Sequence, residues 1–292
     1  MAELSFPLDW GTRTYVMGIL NLTPDSFSGD GLLRIGNLVQ AALEQAQLFV
    51  NEGVDILDLG GESTRPGAAP VSAQEEMDRV LPVLRAIRAA GLDVLLSVDT
   101  YKSEVAQEAL KIAPVWINDV WGLRADPRLG AVAAAAHTPL ILMHNRSRPA
   151  NAELQAALGG RYVGMQYQDL MGEICAELLE SVELAVQAGV ERSRIIIDPG
   201  IGFGKTVEQN LELINRLGEF RALGFPVLLG PSRKSFIGYT LNLPPDQRVE
   251  GTAAAVAVGI TRGADMIRVH DVRSMVRIAR MTDAIVRTKR DV

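Results

Sequence analysis

Eight short apolar runs, each ending in a polar or glycine-rich turn, set the strongest limit on what this chain can fold into. They are "YVMGIL" (15–20), "VDILDL" (54–59), "VLLSV" (94–98), "VWIN" (115–118), "PLILM" (139–143), "RIIID" (194–198), "PVLLG" (226–230) and "DMIRV" (265–269). Val, Ile and Leu fill them almost without interruption. That pattern belongs to parallel strands buried on both faces, because a half-exposed strand alternates apolar and polar residues. Amphipathic helical stretches such as "NLVQAALEQAQLFVNEG", "SAQEEMDRVLPVLRAIRAAG" and "MGEICAELLESVELAVQAG" lie between them and finish in Gly, a common helix terminator. Eight strand-then-helix units in 292 residues predict an α/β fold, a (β/α)8 TIM barrel, as one domain over residues 1–292. A doubly wound open sheet is the alternative, but it usually opens on a glycine-rich dinucleotide turn that is absent here. Residues 4 to 14 are expected to form a short N-terminal hairpin closing the bottom of the barrel. Residues 144 to 165 read as an extended loop on the functional face.

Composition narrows the partners. Hydrophobic residues make up 48% and charged residues 22%, enough for a sizeable core in a soluble chain. Lys plus Arg number 29 against 35 Asp plus Glu, a formal net charge of -6, which gives no reason to expect nucleic acid or an anionic membrane. The single Cys175 excludes an intramolecular disulfide and reads as a buried helix residue. The start "MAELSFPLDWG" lacks the basic and apolar regions of a signal peptide, and no apolar run reaches membrane-spanning length. The expectation is a cytoplasmic protein.

Barrel chemistry gathers at the C-terminal ends of the strands. Reading off those ends gives Asn21, Asp58, Thr64 and Arg65, Asp99, Asn118 and Asp119, His144, Asp198, Lys234, Arg268 and His270. Singly, each has a structural explanation: Asp99, Asp271, Ser232 and Thr100 stand where helix N-caps stand. As a ring around one mouth they ask for another. Buried carboxylates need donors, and a flat heterocycle with an amino-amidine edge offers two parallel N–H groups. Arg65, Lys234, Arg268 and His270 form a cationic set suited to a multi-oxygen anion. Asn21 is a hard-oxygen ligand suited to Mg2+, which bridges to substrate phosphates. Two other readings fall away. "DPGIGFGKT" (198–206) has Pro199 where a phosphate-binding P-loop needs Gly. With His137 inside an expected helix, His144 and His270 are far apart and no His-x-His pair exists for a zinc site.

"NLTPDSFS" (21–28), "GGESTRPG" (60–67), "DPGIGFGKT", "GPSRKSFIG" (230–238) and "RVHDV" (268–272) together resemble the signature segments of the dihydropteroate synthase family, in the family's order and over almost the whole chain. The resemblance implies a homodimeric (β/α)8 barrel of folate biosynthesis. It implies condensation of p-aminobenzoate with 6-hydroxymethyl-7,8-dihydropterin diphosphate to 7,8-dihydropteroate and pyrophosphate, with Mg2+, in a site that sulfonamides compete for.

Carried over position by position, the resemblance assigns the pterin to Asp99, Asn118, Asp198 and Lys234, with Met143 and Phe203 lining the slot. The diphosphate falls to Thr64, Arg65, Arg268 and His270, and the metal to Asn21. Phe27, Pro66 and Ser235 frame p-aminobenzoate. Lys234, Arg65 and Asp99 carry the catalytic roles, with no general base named. Two segments depart from the family pattern. "SFSGDG" (26–31) puts the loop-one carboxylate at Asp30, one place later than the usual "SFSDGG", and "MHNRSRPAN" (143–151) differs from the frequent "MHMQGTP" type. The alternatives are a pterin-binding methyltransferase barrel, in which "SRKSF" and "ESTRPG" are not expected, and a non-catalytic pterin-binding paralogue, which has no use for a pyrophosphate clamp.

Overall fold

A computed structural model describes residues 8–23, 35–64, 68–155 and 157–287. Each of the eight apolar runs becomes a strand: β1 Tyr15–Asn21, β2 Ile56–Gly60, β3 Leu95–Asp99, β4 Trp116–Asp119 and β5 Leu140–Met143 come first. A two-stranded antiparallel hairpin, β6 Ala152–Gln155 and β7 Gly159–Tyr162, is then inserted. The last three barrel strands are β8 Ile195–Asp198, β9 Leu228–Leu229 and β10 Met266–Val269. The segment expected as a plain extended loop therefore carries a hairpin of its own. Its strands are polar and, apart from Tyr162, half-buried or exposed, so they lack the apolar pattern that betrays the others.

The parallel order is β8-β5-β4-β3-β2-β1-β10-β9, and a parallel bridge between Ile197 and Val227 joins the two ends into a barrel. The helices wrap the outside: α1 Ile35–Asn51, α2 Ala73–Ala89, α3 Ser103–Ile112, α4 Arg128–Ala135, α5 Leu170–Gln187, α6 Val207–Asn215, α7 Ser235–Leu241, α8 Val249–Thr261 and α9 Val272–Val286. No helix among the described residues is long and apolar enough to cross a membrane. His137, expected inside a helix, stands in the turn just past α4 with φ +48°. Cys175 lies on α5 as expected but is only half-buried.

Strand alternation sorts each strand between two cores. Outward residues such as Leu57, Leu59, Leu96 and Val98 pack under the helices, and Ile117, Leu142, Ile195 and Ile197 do the same on the far side. Inward residues Tyr15, Met17, Ile56, Trp116, Ile141, Ile196, Leu228 and Met266 fill the barrel itself, joined from below by Leu8 and Trp10. Trp10 stacks edge-on against Tyr15 at 5.4 Å. Residues 8–14 make a turn here, with no strand among them; residues 4–7 of the expected hairpin lie outside the described residues. Close helix packing shows at Gly18, where an added Cβ would come within 3.0 Å of Phe49, Val54 and Val272.

The barrel floor is a packed core, so truncating it leaves a void. Ile141→Ala, at a position with no exposure, should cost about 2–5 kcal/mol in urea unfolding. A loss below about 1 kcal/mol would mean that the interior is not closely filled.

Candidate functional site

The pairing register levels the polar residues at the top of the barrel. Asn21 lies opposite Gly60, Gly60 opposite Asp99, Asp99 opposite Asn118, and Met143 opposite Asp198. All are inward positions two or four residues above the apolar floor, so the strands that close the core below also present the polar ring above.

Arg268 is the centre of that ring. Its Nε donates to Asp58 Oδ2 and its Nη2 to Asp99 Oδ2, both at 2.6 Å. Asn118 Nδ2 donates to the same Asp58 oxygen at 3.0 Å. Asp58 is fully buried, and its Oδ1 has no hydrogen-bond partner among the described residues. Burial pushes the Asp99 carboxyl up to about 7 despite the adjacent guanidinium. Sequence reading placed Asp58 at a strand end but gave it no role, because the buried partner that defines it comes from the last strand.

Beside this hub lies a slot. Asp198 accepts from Gly200 N at 2.7 Å, and burial raises its pKa while Lys234 opposes the shift. Lys234 Nζ donates to the Ile201 carbonyl and sits 4.6 Å from the centre of the Phe203 ring. Burial draws its ammonium down to about 8. The turn that presents Lys234 is strained at Arg233, a non-glycine residue at φ +54°. It is held there by Asp271, which accepts from Arg233 Nε at 2.9 Å, and by Arg248, which donates to the Arg233 carbonyl at 3.0 Å. Glycines make the room. A Cβ on Gly230 would find Arg268, Lys234 and Asp198 all at 3.8–3.9 Å, and one on Gly60 would find Asp99 at 3.6 Å. Side chains there would fill the space between these groups. Met143 closes the floor, 3% exposed.

The other end of the mouth suits an anion. His270 accepts or donates at both ring nitrogens, with Ser232 Oγ 3.0 Å from Nδ1 and Asn21 Nδ2 3.4 Å from Nε2. Ser232 also accepts from His270 N at 3.1 Å, so this serine orients the imidazole and does not cap a helix. With its amide nitrogen on the His270 side, Asn21 keeps its oxygen for a cation. Among the described residues no three His, Cys, Asp or Glu side chains gather as a metal site. A single hard oxygen is what Mg2+ needs when waters and substrate phosphates complete its shell, so the donor set fits that ion.

Other expected positions separate. Thr64 is half-buried at the start of its loop, and Ser235 opens α7. Arg65, Pro66, Phe27 and Asp30 lie outside the described residues. Asp119 faces away from the mouth and accepts from Trp121 N and Leu123 N at 2.8 and 2.6 Å, a turn-holding role. Asp99 caps nothing; Lys102 holds the α3 N-cap position. Asp271 stands at the α9 N-cap position without capping, its carboxylate committed to Arg233. Thr100 accepts from Lys102 N at 3.1 Å, a local turn. His144 is a neutral core histidine, its pKa drawn down to about 3 by burial and by Lys205.

Comparison with known proteins agrees with this geometry. The family described as pterin binding enzyme matches residues 17–270. The dihydropteroate synthase of Bacillus subtilis (strain 168) is 48% identical over 278 residues, covering 95% of this chain and 90% of that protein. A dihydropteroate synthase structure from Clostridium difficile, solved in the presence of pteroic acid, superposes with a TM-score of 0.87 at 45% identity, covering 96% of this chain and 100% of that one. The Yersinia pestis dihydropteroate synthase, solved with a sulfonamide drug, gives 0.84 at 41% identity over 94% of this chain and 95% of that one.

Removing the hub should unbalance two buried carboxylates. Arg268→Met should cost about 3–5 kcal/mol at pH 8, measured by urea unfolding. The Asp99 carboxyl, already raised by burial, then stands further above its unfolded value, so the penalty is full above its folded pKa and shrinks as pH falls towards about 4. A loss independent of pH would rule out charge as its origin.

Proposed function

We infer, for a chain that belongs to the pterin binding enzymes and within them to the dihydropteroate synthases, a transferase of folate biosynthesis. It joins p-aminobenzoate to 6-hydroxymethyl-7,8-dihydropterin diphosphate and releases pyrophosphate, leaving 7,8-dihydropteroate. The observation that carries the reading is the carboxylate-lined slot between Asp58, Asp99, Asn118 and Asp198, with Lys234 over Phe203 and Arg268 at its centre.

The pterin takes that slot. Its amino-pyrimidine edge donates to Asp198, Asn118 binds beside it, and Lys234 meets the ring carbonyl. Met143 and Phe203 supply apolar faces. Thr64, Arg65, Arg268 and His270 hold the diphosphate. Arg268 uses one edge of its fork on Asp58 and Asp99, and the fork has donors to spare for phosphate oxygens. Asn21 holds Mg2+ through its amide oxygen, and the ion, when bound, supplies positive charge beside the leaving pyrophosphate. Phe27, Pro66 and Ser235 frame p-aminobenzoate, with its carboxylate near Ser235. The same site is the one sulfonamides compete for.

Chemistry follows from charge. The C–O bond between the pterin methylene and the diphosphate breaks, and the electron pair leaves on pyrophosphate. The electron-rich ring delocalises the positive charge left on carbon, and Asp99 and Asp198 favour that cation. The arylamine nitrogen forms the new C–N bond and then gives its proton to solvent. An arylamine is already unprotonated at neutral pH, so positioning outweighs base catalysis. Lys234, Arg65 and Asp99 are the catalytic residues in this scheme. The enzyme works in the cytoplasm as a homodimer. The exposed apolar residues Met281, Ile285 and Val286 along α9 favour that helix as a contact face.

Two measurements test this. Pyrophosphate release from the pterin diphosphate with Mg2+ should depend on p-aminobenzoate, match dihydropteroate formed, and collapse in Arg65→Ala; pterin binding without release would sink the enzyme reading. The kcat/KM for the pterin diphosphate reports free-enzyme ionisations. It should fall as pH drops through about 7, where Asp99 protonates, and as pH rises through about 8, where Lys234 loses its charge. In Lys234→Arg the alkaline limb should move out of range; an unmoved limb would exclude Lys234 as its source.

A further inference from the structure

Lys205 is the most deeply buried lysine of the site's surroundings, 2% exposed, and none of the roles above uses it. Its Nζ reaches three acceptors: the Gly200 carbonyl and the Phe203 carbonyl at 3.0 Å each, and His144 Nδ1 at 2.9 Å. An ammonium only donates, so Nδ1 accepts and the imidazole proton sits on Nε2, which lies 3.1 Å from Glu177 Oε2. Glu177 is held in turn by Arg146 Nε at 2.7 Å and Arg124 Nη1 at 3.2 Å. The three acceptors offset part of a burial cost that draws the Lys205 ammonium well below the usual lysine value.

Those acceptors belong to the loop that forms one wall of the slot. Gly200, Gly202 and Gly204 all adopt left-handed φ, +72°, +81° and +62°. A Cβ on Gly200 would come within 1.8 Å of the His144 carbonyl, and one on Gly204 within 2.4 Å of the Arg146 backbone. The chain thus coils tightly between β8 and α6, turning two carbonyls inward on Lys205. On its other side the same coil bears the Phe203 ring and the Ile201 carbonyl that receives Lys234. Gly200 N, at the coil's start, orients the Asp198 carboxylate. Three slot contacts therefore hang on a loop wound about one ammonium, and "DPGIGFGKT" keeps its P-loop look for a different reason. Its lysine points into the protein and its glycines make room for the backbone of the β5 loop.

We propose that Lys205, backed by His144 and Glu177, is a positioning residue for the pterin ring: its ammonium fixes the loop that sets Phe203, the Ile201 carbonyl and hence Lys234 against Asp198. This rests on the pterin reading of the slot. The residue touches no reacting atom, so its loss weakens pterin recognition and spares p-aminobenzoate.

The test uses Lys205→Met, His144→Leu and His144→Asn in the full chain, the last placing an amide oxygen near the lost Nδ1. Binding of free 6-hydroxymethylpterin is followed by its fluorescence, and KM is measured for each substrate. Lys205→Met should raise the pterin Kd and the KM for the pterin diphosphate at least tenfold, with the KM for p-aminobenzoate within about twofold of wild type. His144→Leu should move the same way, and His144→Asn should recover most of the loss. If Lys205→Met does not fold, the His144 pair decides. Equal shifts in both KM values, unchanged pterin affinity, or no recovery in His144→Asn would overturn the proposal. Wild-type protein that releases no pyrophosphate yet shows the pterin shifts would sink the synthase reading alone; wild type that binds no pterin would sink both.

Discussion

One guanidinium holds the mouth of this barrel together. Arg268 rises from the last strand and ties Asp58 of the second strand to Asp99 of the third, with Asn118 of the fourth completing the set. Two carboxylates so close and so buried repel each other and lose hydration. Only a cation donating to both makes their ionised forms tolerable. The link also crosses between strands far apart in sequence, so the polar ring is rigid before any ligand arrives. Preorganised charge of this kind acts on a developing cation without further rearrangement.

Around the hub the slot is defined as much by missing side chains as by present ones. Gly60 and Gly230 stand at inward positions where any larger residue would fill the gap between Asp99, Arg268, Lys234 and Asp198. The wall opposite is a coil that must be glycine-rich for another reason, since three of its residues take left-handed φ, two of them against the neighbouring backbone. Lys234 is delivered by a strained turn, and Arg233 stays at positive φ because Asp271 and Arg248 grip it from two sides. These grips, from the starts of α9 and α8, offset the strain at that one residue.

Much of the architecture was legible in the chain. All eight strands fall within a residue or two of the apolar runs, because a strand buried on both faces must be written in Val, Ile and Leu. The β6–β7 hairpin was not legible. It is short and polar, and partners distant in sequence tie it down, with Tyr239 donating to the Gly159 carbonyl at 3.2 Å and Arg248 to the Leu158 carbonyl at 2.9 Å. Most of the ring was legible too, since strand ends announce it. Asp119 shows the limit: it is adjacent to Asn118 in sequence, yet strand alternation sends it to the other face, where it ties a turn. Ser232 and Asp271 show another, since residues that suit helix caps were taken by partners 38 positions away.

Periodicity and strand-end chemistry therefore determined the barrel, its polar mouth and the identity of most groups facing it, because both are local properties that repeat along the chain. Pairing was decided only in three dimensions. That Asp58 and Asp99 share Arg268, that Ser232 turns His270, and that Lys205 points inward to His144 depend on barrel closure and register, which bring together residues separated by up to 210 positions. Sequence names the charges; the closed sheet decides which of them must neutralise one another.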